Sequence, residues 1–201
     1  AGRAGRHIND GSFGITGKCE SLSVDEVTKI EKHELNSVSE IYWRNSELNF
    51  ENLNSLIISL EKKSNNEVLK RINDSEDEKV LKLLIKNNKD LTDLVTKENI
   101  RTFWECCQIP DFSKKAYGNH IDVVKKVFGS LISKTGKVTN DFMKSQLKNL
   151  DKYDGNIDTL TNRISNIRTW SYVTNKKNWT ENSDFWVERT KNIEDKLSDK
   201  L

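Results

Sequence analysis

Two arginines near the start of the chain stand three residues apart, and each follows a glycine. Arg3 and Arg6 belong to the stretch Ala1-Gly2-Arg3-Ala4-Gly5-Arg6-His7. This spacing places both guanidinium groups on one side of a loop or first helical turn, and the glycines allow close backbone approach. Guanidinium groups bind phosphate oxygens through two parallel hydrogen bonds. The pattern therefore indicates phosphate recognition, with a plain glycine-arginine linker as the alternative.

Such an arginine can also assist phosphoryl transfer, because it stabilises charge on the γ-phosphate in the transition state, typically worth on the order of 10³–10⁵ in rate. His7 could touch a nucleotide, but a histidine beside a phosphate loop is more often a solvated neighbour. The chain contains no Walker A loop of the form G-x-x-x-x-G-K-[ST]. We therefore expect that this chain alone neither holds ATP usefully nor hydrolyses it.

The elements that position these residues differ between the start of the chain and the rest. Residues 1–17 hold five of the nine glycines around a β-prone stretch, which predicts a loop, a strand over 12–16 and a turn. Helical periodicity follows, opened by a capping box at Ser23 and Glu26. The predicted helices cover 23–33, Asn49 to about Leu60, 65–73, 76–87, 97–108, 117–133, 140–150, 156–174 and Ser183 onward. The fold class expected is mainly α.

Composition excludes few functions. Lys and Arg total 33 against 31 for Asp and Glu, so a formal charge of +2 gives no indication for or against nucleic acid. No apolar run approaches the roughly 20 residues that cross a bilayer, and no signal peptide opens the chain. The sequence thus predicts a soluble, intracellular protein without a membrane partner. Because residue 1 is not methionine and the helical pattern persists to Leu201, both ends are expected to be truncated.

The three cysteines are Cys19, Cys106 and Cys107. An odd number with two adjacent members is a poor disulfide framework and favours a reducing compartment. Adjacent cysteines also lack ordinary zinc-ligand spacing, even with His33 or His120 added. Cys107 fits the apolar face of its predicted helix, so packing is the favoured interpretation and no metal site is expected.

Several segments carry a resemblance to a known family. The AGRAGRH stretch followed by GSFGITG resembles the final conserved motif of superfamily 2 helicases, Gln-x-x-Gly-Arg-x-Gly-Arg. Later segments resemble one branch of that superfamily, the mitochondrial degradosome RNA helicase and its bacterial relatives. These segments are YWRN at 42–45, CQIP at 107–110, RISNIRTW at 163–170, WVERT at 186–190 and IEDKLSD at 193–199. Together they span nearly the whole chain.

The resemblance implies a domain division and a role for the two arginines. Residues 1–20 would be the end of a second RecA-like motor domain, an α/β remnant, and 21–201 a multi-helix accessory region. Gly2, Gly5, Arg3 and Arg6 would contact ATP, with Arg6 as the arginine finger. The motif's glutamine would precede Ala1 and so lie outside this sequence. ATP and Mg²⁺ would be held mainly by upstream motor domains.

Nucleic-acid contacts are predicted less sharply. Arg44, Lys176 and Lys177 are the candidates. The segment 43–45 is expected at a helix-to-loop junction, from Trp43 onward, and could instead brace the accessory region against the motor domain. An aromatic and basic cluster suggests stacking on RNA, but packing of Trp170 and Trp186 between helices, with the lysines solvated, is favoured. The cluster comprises Trp170, Tyr172, Lys176, Lys177, Trp179 and Arg189, with Trp186 nearby.

The partners implied are RNA, or DNA as a weaker option, the motor domains of the same protein and an exoribonuclease. The implied location is the bacterial cytoplasm or the mitochondrial matrix. A second interpretation belongs to another class of protein. Residues 1–17 would be a basic leader, and the rest a non-enzymatic helical module that docks a partner such as an exoribonuclease.

Overall fold

A computed structural model describes residues 10–34, 37–73, 75–113 and 117–201. Within these ranges the chain is mainly α, as predicted, with two three-residue strands. The elements are α1 (Val24–Glu31), β1 (Ile41–Trp43), α2 (Leu53–Glu61), β2 (Leu69–Arg71), α3 (Glu76–Asn87), α4 (Lys89–Thr92), α5 (Ile100–Cys107), α6 (Tyr117–Leu131), α7 (Asn140–Leu147), α8 (Ile157–Asn175) and α9 (Ser183–Ser198). None of the helices in the described ranges is long and apolar enough to span a bilayer.

Side-chain caps start several helices where the sequence changes from loop to helical periodicity. The predicted capping box of α1 is confirmed: the Glu26 N–H donates to Ser23 Oγ, and the Ser23 N–H donates to Glu26 Oε2. The predicted cap of α2 at Asn49 is wrong, because Asn52 accepts the N-terminal N–H bond instead. Asn49 Oδ1 accepts from the Glu51 N–H in the loop before the helix. Such caps satisfy backbone donors that the helix leaves unpaired.

The helix predicted over 65–73 is wrong, because this segment turns and then forms β2. Asn66 is the physical reason, since its side chain accepts from the Val68 N–H and its carbonyl from the Leu69 N–H. Asparagine competes with helix formation through such local bonds. β2 pairs in parallel with β1, and Leu69 lies opposite Ile41. The helix-to-loop junction expected at Trp43 is likewise wrong, because Trp43 ends strand β1.

The strand predicted over 12–16 is also wrong, since these residues have no regular secondary structure. The Cys19 N–H bonds to the Thr16 carbonyl in a turn that includes Gly17 at a φ of 57°. Among the described residues of 10–40, no side chain is buried. A short β-prone stretch gains nothing from being extended when no strand pairs with it.

The hydrophobic core lies where α3, α5, α6, α8 and α9 meet. Phe103 of α5 and Phe128 of α6 are both fully buried, and their rings pack edge to face at a centroid distance of 4.9 Å. This geometry suits the aromatic quadrupole and adds to the burial of apolar surface. The remaining core is supplied mainly by aliphatic residues and tryptophans, among them Leu56, Leu81, Leu84, Val124, Ile164, Ile167, Trp170, Trp186, Ile193 and Leu197.

Helices α8 and α9 form a hairpin whose loop is tied to the loop between α6 and α7. Ile167 and Ile193 are fully buried in this part of the core. The Val138 N–H donates to the Trp179 carbonyl at 2.8 Å, and the Glu181 N–H donates to the Val138 carbonyl at 3.1 Å. This pairing satisfies backbone groups that burial would otherwise leave without partners. It also holds the start of α7 beside the start of α9.

Two isoleucines of α8 make a matched test of this packing. Ile167 is fully buried and Ile157 is 71% exposed. Ile167→Ala should lower the free energy of unfolding by about 2–5 kcal/mol, because it removes buried methyl groups and leaves a cavity. Ile157→Ala should change it by about 0.5 kcal/mol or less. Urea denaturation measures both, and equal effects would contradict the placement of α8.

Candidate functional site

The residues of the predicted phosphate site, Gly2, Arg3, Gly5 and Arg6, lie outside the described residues, as does His7. Their role toward ATP therefore stays a prediction. The described part of the chain instead concentrates polar chemistry around Arg44, at the junction of the sheet with α3 and α5.

Arg44 directly follows β1 and reaches two elements at once. Its Nη1 donates to Asp77 Oδ2 at 2.8 Å, and its Nε lies 3.8 Å from Glu78 Oε1. The guanidinium also lies 5.2 Å from the centre of the Trp104 ring, a cation–π distance. These contacts join Arg44 to other parts of the region from residue 21 onward, so its bracing against the motor domain stays a prediction. A nucleic-acid contact stays a prediction.

Glu78 is the most deeply buried carboxylate of this group, with 1% of its surface exposed. Its Oε2 accepts a short hydrogen bond from Arg71 Nη2, and Arg71 Nε also donates to the Leu60 carbonyl at 3.2 Å. Glu78 lies in the first turn of α3, where the helix dipole favours negative charge. Two arginines, one at the end of each strand, thus compensate one carboxylate on a helix.

The hydrogen bonding of the buried Glu78 carboxylate by these two arginines is incomplete. Glu78 Oε1 and Arg44 Nη2 are both buried and make no hydrogen bond among the described residues. Burying a charge is tolerated when an opposite charge and hydrogen bonds replace the lost water. The 3.8 Å separation between Arg44 Nε and Glu78 Oε1 keeps the Coulombic attraction without a hydrogen bond. This junction therefore depends on charge pairing.

A cleft of about 260 Å³ opens beside this junction. It is lined by Arg44, Ser75, Glu76, Asp77, Val80, Cys107, Gln108, Ile109, Pro110, Asp111 and His120. Burial lowers the pKa of His120 below its ordinary 6.5, while Asp111, a hydrogen bond with the Ile109 backbone and Glu76 act in the opposite direction. His120 is thus favoured as the neutral imidazole, with carboxylates nearby.

The two cysteines of α5 are packed in the core, as predicted for Cys107. Cys106 and Cys107 are buried on α5, and Cys19 is exposed. Burial raises the pKa of both α5 thiols well above the ordinary value, so they stay protonated and unreactive. In the ranges that the structure describes, no group of three or more His, Cys, Asp or Glu side chains could hold a metal ion.

The tryptophans of the predicted aromatic and basic cluster belong to the core. Trp170, Trp179 and Trp186 are all buried, so their faces are unavailable to bases, and the packing interpretation is confirmed for Trp170 and Trp186. Lys176 Nζ lies 5.2 Å from the Tyr172 ring centre and 5.8 Å from that of Trp179. Lys177 is exposed. Nucleic-acid contacts through these two lysines stay predictions.

No family model matches the chain, and neither a curated protein nor a solved structure matches it. The resemblance to superfamily 2 helicases therefore rests on the sequence segments alone.

The buried carboxylate can be tested directly. Glu78→Gln keeps the side-chain shape but leaves the arginines around it without their shared anion. It should lower the free energy of unfolding by about 3 kcal/mol, as expected when one partner of a buried pair is removed. Glu76→Gln, an exposed change in the same helical turn, should have an effect of about 0.5 kcal/mol or less. Chemical denaturation of both variants measures the two changes. Similar losses of unfolding free energy would argue against a structural role of the pairing between Glu78 and its arginines.

His120 should make stability depend on pH. Because its pKa is lower in the folded protein than the ordinary 6.5, the unfolded chain takes up its proton first as the pH falls. The contribution of His120 to the free energy of unfolding should be at its maximum above about pH 6.5 and should decrease as the pH falls below it. His120→Gln should flatten this decrease between about pH 7 and about pH 5.5. Urea denaturation across that range measures it, and parallel curves for wild type and variant would exclude His120 as the cause.

Proposed function

We propose that this chain is a carboxy-terminal part of an ATP-dependent RNA helicase of superfamily 2. The parent protein would couple ATP hydrolysis to unwinding of RNA or RNA/DNA duplexes. The observation that carries the proposal is the Gly-Arg-Ala-Gly-Arg pattern at residues 2–6, followed by the glycine-rich stretch 11–17. Two glycine-spaced arginines at this spacing suit the γ-phosphate of a nucleotide.

The positions of the later resembling segments in the fold are a second support for the helicase proposal. Arg44 of segment 42–45 and all of segment 107–110 line the same cleft, although more than sixty positions separate them in the sequence. The Thr169 hydroxyl of segment 163–170 donates to the Pro110 carbonyl at 3.1 Å. The resemblance thus falls on residues that join separate elements, where identity is constrained by contacts.

The helical hairpin adds the same kind of support. Arg168 of segment 163–170 donates through Nε to Glu194 Oε1 of segment 193–199 at 2.7 Å. The Thr190 hydroxyl, from segment 186–190, lies 3.4 Å from the Thr174 hydroxyl inside the hairpin. These contacts are the ones an accessory region needs to keep two long helices in register.

The domain division proposed from the resemblance is consistent with the exposure of the first described residues. Phe13, Ile15, Leu22 and Val24 are all exposed, and Val24 is 85% exposed although it starts a helix. Apolar side chains gathered in one exposed segment are typical of a surface that packs on another domain. Assignment of residues 1–20 to a RecA-like motor domain accounts for this exposure.

In the proposed mechanism, ATP and Mg²⁺ supply the phosphoryl group and the charge that neutralises it. Arg3 and Arg6 bind the γ-phosphate from the second motor domain, and Arg6 stabilises the charge that develops during transfer. The helical region from residue 21 onward braces the motor domains while RNA is displaced.

The arginine role is tested in the protein encoded by the complete reading frame. Arg6→Ala should reduce RNA-stimulated ATP hydrolysis by roughly 10³-fold or more with RNA binding retained, because the charge on the γ-phosphate loses its stabilisation. The measurement is steady-state phosphate release at saturating RNA.

Arg101→Ala removes an exposed arginine of α5 and is the matched control, expected to turn over like the wild type. Wild-type turnover by Arg6→Ala would contradict the arginine-finger role. A wild-type protein without ATPase activity would overturn the helicase proposal and favour the non-enzymatic helical module.

A further inference from the structure

A groove between α7 and α9 combines basic and aromatic side chains and has no part in the proposed phosphate site. Its cavity volume is about 690 Å³, and it is lined by Lys144, Ser145, Leu147, Lys148, Asp151, Phe185, Trp186 and Arg189. We call this surface the α7–α9 groove. It lies far along the sequence from the predicted phosphate site at Arg3 and Arg6.

An exposed aromatic ring stands at the groove. Phe185 is 57% exposed, whereas the next residue, Trp186, is buried in the core. The two rings pack edge to face at 4.9 Å, which supports Phe185 while more than half of its surface stays exposed. An exposed aromatic ring that is held in place can stack with a nucleic-acid base.

Two lysines of the α7 side supply positive charge. Lys144 and Lys148 are separated by about one helical turn, so their side chains emerge from the same face of the helix. Lys148 has no ion pair among the described residues. Lys144 Nζ lies 3.5 Å from Asp141, but both side chains are mostly exposed, so the pair is weak. Both ammonium groups are therefore free to meet an anion.

The remaining charges of the groove cancel each other. Asp151 accepts hydrogen bonds from Arg189 and from the Tyr153 hydroxyl, so its negative charge is already engaged. Asp184 and Glu188 are exposed on α9 but do not line the groove. The net character of the α7–α9 groove is thus two cations beside an aromatic ring.

We propose that the α7–α9 groove binds single-stranded RNA, with a base stacked on Phe185 and backbone phosphates paired with Lys144 and Lys148. Charge complementarity and the exposed aromatic ring suit a polyanion that carries flat bases. An acidic peptide would use the same cations, and the choice of RNA over such a peptide rests on the proposed function. The α7–α9 groove would hold the strand outside the motor domains.

The test measures the affinity of the 201-residue chain for a fluorescein-labelled oligouridine by fluorescence anisotropy over a range of salt concentrations. Phe185→Ala should weaken binding about tenfold, because one stacked base is lost. Phe185→Tyr should bind like the wild type, since the ring face is kept. The matched control Phe112→Ala removes another exposed phenylalanine and should also bind like the wild type.

The lysines are tested through the salt dependence. Each phosphate contact on a single strand contributes about 0.7 to the slope of log affinity against log salt. The double variant Lys144→Ala/Lys148→Ala should therefore reduce the slope by about 1.4. Lys62→Ala/Lys63→Ala removes the same charge from another exposed site and should leave the slope unchanged. An oligonucleotide with 5-iodouridine should cross-link to the peptide that contains Phe185.

Several results would overturn the proposal. Groove variants with wild-type affinity and slope would place the RNA site elsewhere on the chain. A chain that binds no oligouridine would contradict RNA binding by the α7–α9 groove. Variants that bind RNA normally but lose a polyglutamate peptide would identify a protein-docking surface instead. None of these results touches the ATPase test on Arg6, so failure of the groove and failure of the helicase proposal remain distinguishable.

Discussion

The burial of Glu78 is the constraint on which the arrangement of the first half of the chain depends. A carboxylate with 1% of its surface exposed is costly unless cations replace its water. Arg71 and Arg44 come from the ends of the two strands and meet it on α3. Two three-residue strands form a marginal sheet alone, so the charge pairing and the packing on α3 and α5 hold the sheet in place.

The second half of the chain depends on apolar packing with a few polar contacts that set its register. The Trp186 indole is buried, and its Nε1 donates to Asn140 Oδ1 at 2.8 Å. This bond joins the first turn of α7 to the first turn of α9 and satisfies an indole N–H that burial would leave unpaired. The same bond directs Phe185, one residue earlier, away from the core. The α7–α9 groove is thus a consequence of how α9 is anchored.

Long periodic segments could be predicted from the sequence, and contacts between distant charges could not. Helices α3 and α8 lie within a residue or so of their predicted bounds, because apolar spacing of three and four residues dictates a buried face. The helix prediction for segment 65–73 was wrong because the Asn66 side chain accepts a hydrogen bond from the nearby Val68 N–H. The sequence gives no indication that Glu78 is buried, since charged residues are rarely buried and its arginine partners lie 7 and 34 positions away. The exposure of Phe185 was not predictable either, because adjacent helical residues are both buried elsewhere in this fold, as Phe103 and Trp104 are.

A near-neutral composition is compatible with a local surface that binds anions, because the fold determines which charged side chains are paired with each other. Among the described residues, Asp77, Glu78, Asp151 and Glu194 are each paired with an arginine. Arginine suits such pairs because its planar fork makes several hydrogen bonds and is weakly hydrated. Lys144 and Lys148 lie at the surface, where their charge stays accessible to a partner. Pairing removes one acid and one base at a time, so the local cationic character of this surface depends on where the remaining charges are placed.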